Sequence, residues 1–390
     1  MAAFDGDGDS ALVWQGPVWR IGPEPVFGAG APGWPRELDL LTASDDDLAE
    51  LPAAVVVRLD QTLAPLARLA RAESKLPVEV PALLLCGAGS AVGLPLRRSH
   101  GLVDADIPEA SLFRMICARQ RAILRSDEAR IRRLVFGRVP SYGSAPHQQG
   151  GSSLLVAGLG RRFIELFDAR ARNVDLIGAL SADMAENYLS QRAFDAVIIE
   201  AGIDDSLDLV ERIRRDARFS QIPVLAFAED RQEVAALFEM GANDVLHGDL
   251  TRAMLSARIA SAIRMGKRRR LADRLLAESR VWLLRQAGEE GLPMPLYQAY
   301  LHRSADQAAL RGLMLDEVRL SPEADAANIP VTQLAGDLSG TILSIADATS
   351  REEDLICYVA GRGPVAVLKH DQAGPNLKRR INAILGSTLL

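Results

Sequence analysis

Two stretches of this chain repeat one another at a fixed distance, and that repeat limits the folds open to it. Subtracting 142 from Asp195, Pro223 and Val245 gives Ala53, Pro81 and Val103. These mark the apolar runs AAVVVRL and PALLLC and the centre of GLVDAD, set against DAVIIE, IPVLA and the strand at Asp244–Leu246. Short apolar runs without polar alternation are strands buried on both faces, and such strands belong to parallel sheets covered by helices. Further strands are expected at Val18–Ile21 or Pro25–Gly28, and at Glu37–Leu41, Leu154–Ala157 and Val174–Ile177. Helical spacing marks Leu63–Ala72, Leu112–Leu134, Leu207–Arg218, Arg231–Met240 and a long run from Thr251 to Ala287, in which the one glycine is Gly266. Strands alternating with helices predict two tandem α/β domains, each a doubly wound parallel sheet, over 11–135 and 153–266. Residues 136–152, rich in Gly and Ser, read as a linker, and 267–288 as a connecting helix whose Lys267–Arg270 cluster is a solvated face.

Composition narrows the functional classes. A chain of 390 residues has room for two to three domains, and its net charge of −6 argues against general nucleic-acid binding. Cys86, Cys117 and Cys357 are odd in number and lie in apolar runs, which reads as reduced core thiols. No Cys/His spacing suggests zinc. No apolar stretch reaches spanning length, and the acidic FDGDGD start is unlike a signal peptide, so the expectation is a cytoplasmic protein without membrane insertion.

The third region, 289–390, carries the segment with most chemical content. Ser350 to His370 reads SREEDLICYVAGRGPVAVLKH, with β-prone runs at Leu355–Val359 and Pro364–Leu368 around a turn of Ala360, Gly361, Arg362 and Gly363. Just before it stand Arg351 and Asp354. A guanidinium can donate two parallel hydrogen bonds to guanine O6 and N7, and a carboxylate can accept from a guanine N–H edge. The same pair also reads as an i,i+3 surface ion pair worth ~0.3 kcal/mol.

On these residues the third region resembles a diguanylate cyclase (GGDEF) domain. In that family an inhibitory Arg-x-x-Asp ends five residues before a Gly-Gly-Asp/Glu-Glu-Phe turn. Here Asp354 is followed by five residues and then Ala-Gly-Arg-Gly-Pro, so the regulatory pair is in register while the catalytic turn has been replaced. Gly291-Leu292-Pro293 resembles the family's first motif, with Met294 and Pro295 in place of Asn and Arg. Gly312–Asp316 resembles the first core strand, with Asp316 in the position of a metal ligand, and the guanine-holding block is not found in Leu320–Ser339. The resemblance implies no catalysis and no metal site. It implies cyclic di-GMP as ligand, held by Arg351 and Asp354, completed by Arg380 or Arg379 from the following helix, and assisted by Arg162 or Arg161.

The second copy of the repeat resembles a response-regulator receiver domain whose chemical residues are lost. Gly158-Leu159 replaces the acidic pair, Glu200 the phosphoacceptor Asp, Ala228 the switch hydroxyl and Gly248 the Lys. In the first copy the corresponding positions fall on Arg58, Cys86 and Asp106 or Ile107. The whole layout is similar to PleD-type response regulators: two flavodoxin-like receiver domains followed by an α+β GGDEF-like domain. By that resemblance the chain would be a homodimeric, non-catalytic cyclic di-GMP effector at a cell pole. It would contact a protease adaptor or a cell-cycle regulator in regulated proteolysis. A ligand-free scaffold and a GTP-binding allosteric remnant are the alternatives.

Overall fold

The computed structural model describes residues 11–22, 24–27, 34–44, 47–60, 62, 64–87, 90, 100–137, 151–320, 338–369 and 373–388. They form two compact units: Met1–Ile123 with Pro146–Arg270, and Leu124–Ala145 with Leu271–Leu390. The boundaries cut through two long helices, Glu109–Phe136 and Arg252–Gly288. The bulk of the expected linker, 138–150, lies outside the described residues.

The first unit holds two five-stranded sheets, all parallel. One contains β1 (Val18–Ile21), β2 (Glu37–Asp39), β3 (Ala54–Arg58), β4 (Ala82–Cys86) and β5 (His100–Asp104). The other contains β6 (Ser152–Gly158), β7 (Val174–Ala179), β8 (Ala196–Glu200), β9 (Val224–Ala228) and β10 (Asp244–His247). Their orders, β2-β1-β3-β4-β5 and β10-β9-β8-β6-β7, are one order, 2-1-3-4-5, read from opposite edges. This is the flavodoxin-like winding. Helices α1 (Ala64–Glu73) and α2 (Glu109–Phe136) belong with the first sheet. Helices α3 (Phe163–Ala169), α4 (Ala182–Gln191), α5 (Ile203–Arg215), α6 (Arg231–Met240) and α7 (Arg252–Gly288) follow the strands of the second.

Strand pairing refines the repeat. β3 and β4 sit 142 residues before β8 and β9. Leu83 pairs with Gly101, and Leu225 with Asp244, so the offset for the fifth strands is 143 and not 142. The first-copy counterpart of Gly248 is therefore Ala105, not Asp106 or Ile107. At the other end Val18 lies opposite Ala54 and Leu154 opposite Ala196, an offset of 136. Gly22 and Gly158 thereby become equivalent, with φ of 153° and 142°. A side chain at either would press on residue 58 or 200 across the sheet. The first copy departs from the second between β1 and β3, where apart from β2 its described residues form only a short 3-10 turn, Asp47–Ala49. The segment leading into β1 is instead tied down by buried Gln120 of α2. Its Oε1 accepts from Val13 N at 2.7 Å, and its Nε2 donates to Trp14 O at 3.1 Å and Ala53 O at 3.0 Å.

The two sheets of this unit meet at β5 and β10 around one buried charge. Arg258 of α7 has a fully buried side chain, and its Nη2 stands 3.2 Å from both Asp104 Oδ2 and Asp244 Oδ1. Its Nη1 donates to Val245 O, and Asp244 Oδ1 also accepts from Asp104 N at 2.9 Å. Further along α7, Gly266 lets the helix approach the start of β8, since a Cβ there would overlap the Asp195 carbonyl oxygen. The neighbouring cations are not a solvated face. Arg268 pairs with Glu79 and Arg270 with the buried Asp195, leaving Lys267 exposed.

The second unit has a three-stranded antiparallel sheet, β11 (Asp316–Arg319), β12 (Leu355–Val359) and β13 (Gly363–Leu368), in the order β11-β13-β12. β11 and β12 run parallel on either side of β13, which is a split β-α-β unit with α9 (Leu338–Thr349) before β12. Alternation along the strands divides the core. Ile356, Ala366 and Leu368 pack with α9 and α10 (Ala373–Thr388). Leu355, Cys357, Val359, Val365 and Val367 pack with α8 (Met294–Ala309) and with Ile131 and Leu283 of α2 and α7. In this unit the ends of α2 and α7 run parallel. Ala129 packs with Ala272 and Leu276, Arg132 reaches Ser279, and the Phe136 and Trp282 rings lie 5.4 Å apart. The buried series Ala272, Leu276, Ser279, Leu283 recurs at 4, 3, 4, as in a two-stranded coiled coil.

Two outcomes follow. Gly266→Ala would add about 1 kcal/mol in an open helix, but the overlap with Asp195 should instead cost about 1–3 kcal/mol, measured by chemical denaturation. The second concerns pH. Burial, opposed by Arg258 and reinforced by Asp104, pushes Asp244 up to about 7. Its folded-state proton is therefore held more tightly than in the unfolded chain, and this group's contribution to stability falls as pH rises from about 4 through 7. Melting at a series of pH values should show that slope in the parent and a flatter one in Asp244→Asn.

Candidate functional site

Arg351 and Asp354 lie in the loop between α9 and β12. That loop, Ser350–Asp354, is held from within: Asp354 Oδ2 accepts from Arg351 N and Oδ1 from Lys369 N, both at 3.1 Å. Asp354 is 5% exposed, whereas Arg351 is half-buried. From α10, Arg380 Nη1 donates to Thr349 O at 2.8 Å, two residues before Arg351. Arg380 is thus tied to the last residue of α9, at the start of the loop, and both Arg379 and Arg380 are exposed. Arg161 and Arg162 belong to the other unit. There Arg161 is exposed, and the Arg162 guanidinium stacks 4.5 Å from the Phe227 ring centroid and lies 3.6 Å from Glu165.

Beneath the loop lies a buried ionic network that the sequence reading did not identify. Glu128 of α2 is fully buried. Its Oε1 accepts from Arg132 Nε at 2.6 Å and Tyr300 OH at 2.9 Å, and its Oε2 pairs with Lys369 Nζ. Arg132 Nη2 donates to Asp354 O at 2.6 Å and Nη1 to Ser279 Oγ at 3.2 Å. Burial alone would raise the Glu128 pKa, but Lys369 and Arg132 outweigh it and hold the carboxylate below its ordinary value. A second buried pair, Asp127 with Arg311 at 2.7 Å, ties the same helix to the end of α8. In the sequence, Glu128 and Arg132 have i,i+4 spacing, which is indistinguishable from a surface pair.

The hairpin turn holds no carboxylate. The loop runs Ala360–Arg362 between paired Val359 and Gly363, with Gly361 at φ 74° and Gly363 at φ 88°. Arg362 Nη1 pairs with Glu317 Oε1 at 2.6 Å. The first-strand assignment needs correction: the strand is Asp316–Arg319, so Asp316 opens it and does not end it. Asp316 lies opposite Leu368, at the end of the sheet away from the turn, and its Oδ2 accepts from Gly374 N of α10 at 3.1 Å. It is a cap for that helix, not a metal ligand beside the turn. Of the block searched for guanine contacts, 321–337 lies outside the described residues. Among the described residues no cluster of three or more His, Cys, Asp or Glu side chains could hold a metal ion, and no helix is long and apolar enough to cross a membrane.

At the carboxyl edge of the second sheet, Glu200 ends β8, is 6% exposed, and accepts from Arg162 N at 2.9 Å. Gly158 lies opposite it and Ala228 closes β9. In the first sheet Arg58 and Cys86 hold the equivalent positions. Burial pushes the Cys86 thiol up to about 12, so it is no nucleophile.

No family model matches the chain, and no curated protein matches it either. Among solved structures, a protein of Chloroflexus aurantiacus J-10-fl assigned as a response regulator aligns with 29% of this chain and 98% of its own. The identity is 22% and the TM-score 0.25, a likeness too low to carry an argument. The flavodoxin-like winding rests on strand order and pairing.

The network makes its own test. Lys369→Met should destabilise the second unit by about 1–3 kcal/mol, because it leaves Glu128 Oε2 without its partner while Arg132 still pairs with Oε1. Glu128→Gln should cost more, about 3–5 kcal/mol in denaturant titrations, because it leaves Lys369 and Arg132 buried without their shared carboxylate.

Proposed function

We propose that the chain is a non-catalytic effector that reads cyclic di-GMP at the Arg351 loop and passes the signal to protein partners. The observation that carries this reading is that Arg380 bonds the Thr349 carbonyl, two residues before Arg351, next to a hairpin whose turn has Arg362 and no carboxylate. Phosphodiester synthesis from two nucleoside triphosphates needs metal-holding carboxylates. Guanine recognition needs cationic forks and acceptors. Two arginines suit the second task and neither suits the first. Asp354 shapes the loop through two main-chain N–H groups. A carboxylate offers about four acceptor positions, so a ligand contact is compatible with that role. The split β-α-β unit supports a degenerate cyclase-like domain, and the paired 2-1-3-4-5 sheets support receiver domains without phosphoacceptors. In this reading the chain is not an enzyme, needs no cofactor, and acts on a protease adaptor or cell-cycle regulator at a cell pole.

The scaffold reading has one observation in its favour: Asp354 is buried and already engaged by backbone. Calorimetric titration separates the two, with GTP titrated alongside to test for an allosteric remnant. Arg351→Ala should weaken cyclic di-GMP binding at least about tenfold, the loss of one bidentate base contact worth about 1–3 kcal/mol. Arg362→Ala should leave binding unchanged. GTP with Mg²⁺ or Mn²⁺ should give no cyclic dinucleotide. Equal binding by parent and Arg351→Ala, or none by the parent, removes the ligand reading.

A further inference from the structure

The carboxyl edge of the second sheet holds a crevice that the nucleotide reading leaves unused. In the order β10-β9-β8-β6-β7, strand β6 leads through α3 to β7 on one side, and β8 leads through α5 to β9 on the other. Neighbouring strands whose connections part in this way open a gap beyond their carboxyl ends, the place where such sheets take ligands. Glu200 ends β8 at that gap and is only 6% exposed. Its Oε1 accepts from Arg162 N in the loop after β6, which turns the carboxyl group into the gap. Its Oε2 is buried with no hydrogen-bond partner. Side chains do not fill the surroundings, since a Cβ at Gly160, Gly202 or Gly248 would meet nothing within 4 Å. A buried carboxyl oxygen without a donor is costly, so the position calls for one from outside the chain.

We propose that this crevice takes the arginine side chain of a protein partner, carried in a short apolar segment. Charge is the first argument for that occupant. Asp204, Asp205, Glu229 and Asp249 lie at the same edge, are exposed, and among the described residues pair with no cation. The cations at this edge do not answer them: Arg162 is held by Phe227 and Glu165, Arg231 faces Asp106 at 3.4 Å, and Arg161 is exposed without a partner. The edge is therefore acidic and attracts a cationic group. Apolar exposure is the second argument. Leu159 directly follows β6, Leu180 follows β7 and Ile164 opens α3, and they are 63%, 74% and 77% exposed. Met184, in the first turn of α4, adds to them. A free amine would reach Glu200 and leave this surface wet, whereas a cation flanked by apolar residues covers both. A guanidinium is less strongly hydrated than an ammonium, so it gives up less on entering. This inference does not rest on the nucleotide reading.

The probe is the peptide acetyl-Leu-Arg-Leu-amide, titrated into the full chain and followed by NMR of its Ile, Leu and Met methyl groups. The Ile164 and Met184 methyls should shift and saturate with a Kd below about 1 mM. The citrulline counterpart, neutral and of the same shape, should bind at least about tenfold more weakly, having lost a charge-assisted hydrogen bond. Glu200→Gln keeps an acceptor for Arg162 N, and in it the two peptides should bind alike, at the strength of the citrulline peptide. Leu180→Ser changes an exposed residue without touching the carboxylate, and it should weaken both peptides while keeping the parent's circular dichroism. Arginine amide alone should bind more weakly than the peptide. Equal binding of the arginine and citrulline peptides to the parent, or no shift of these methyls, overturns the proposal. So does arginine amide binding as tightly as the peptide. If Mg²⁺ alone shifts the same methyls in the parent and not in Glu200→Gln, the crevice is a metal site and the proposal falls.

Discussion

A carboxylate with no access to solvent holds the second unit together. Glu128 lies on α2, yet its partners come from α8, from the residue after β13 and from its own helix: Tyr300, Lys369 and Arg132. Removing one charge from such a cluster is costly, while leaving all of them satisfied is close to neutral. The cluster therefore adds less to net stability than it adds to specificity of arrangement. Only one placement of α2 lets Arg132 reach both Ser279 and the Asp354 carbonyl. The loop bearing Arg351 is held from below by that helix and at its start by Arg380.

A related device joins the two sheets of the first unit. Arg258 answers two carboxylates on the facing strands β5 and β10, so those edges are paired through a cation and not left open for other chains. In both units a buried arginine is shared between elements distant in sequence. The apolar cores alone would tolerate small shifts of these elements. The shared guanidinium, with its rigid planar set of donors, does not.

Much of the architecture was legible because buried parallel strands write themselves plainly. AVVVR, ALLLC, AVIIE and VLAFA are runs that no exposed element would use, and their shared 142-residue offset is a property of the letters alone. The hairpin near the end was equally open to reading, since two β-prone runs flank glycines that the turn requires at positive φ. Boundaries were less visible. Val224–Ala228 starts two residues later than its apolar run, because pairing with β8 and β10, not hydropathy, decides where a strand begins. Asp316 was misplaced for the same reason: a strand before an unpatterned stretch has no register until its partner is known.

By itself, then, the sequence determined the alternation of strands and helices, the tandem repeat, the absence of carboxylates from the hairpin turn and the spacing of Arg351 to Asp354. Each of these is local or periodic, and periodicity survives in one dimension. The tertiary structure alone decided that Glu128, Arg132 and Lys369 form one buried cluster, that Arg380 is tied to the end of α9, and that Gly22 matches Gly158 across a changed offset. Those facts depend on which distant segments share space. A charge at i and another at i+4 look the same whether water or a protein interior surrounds them, and only packing distinguishes the two.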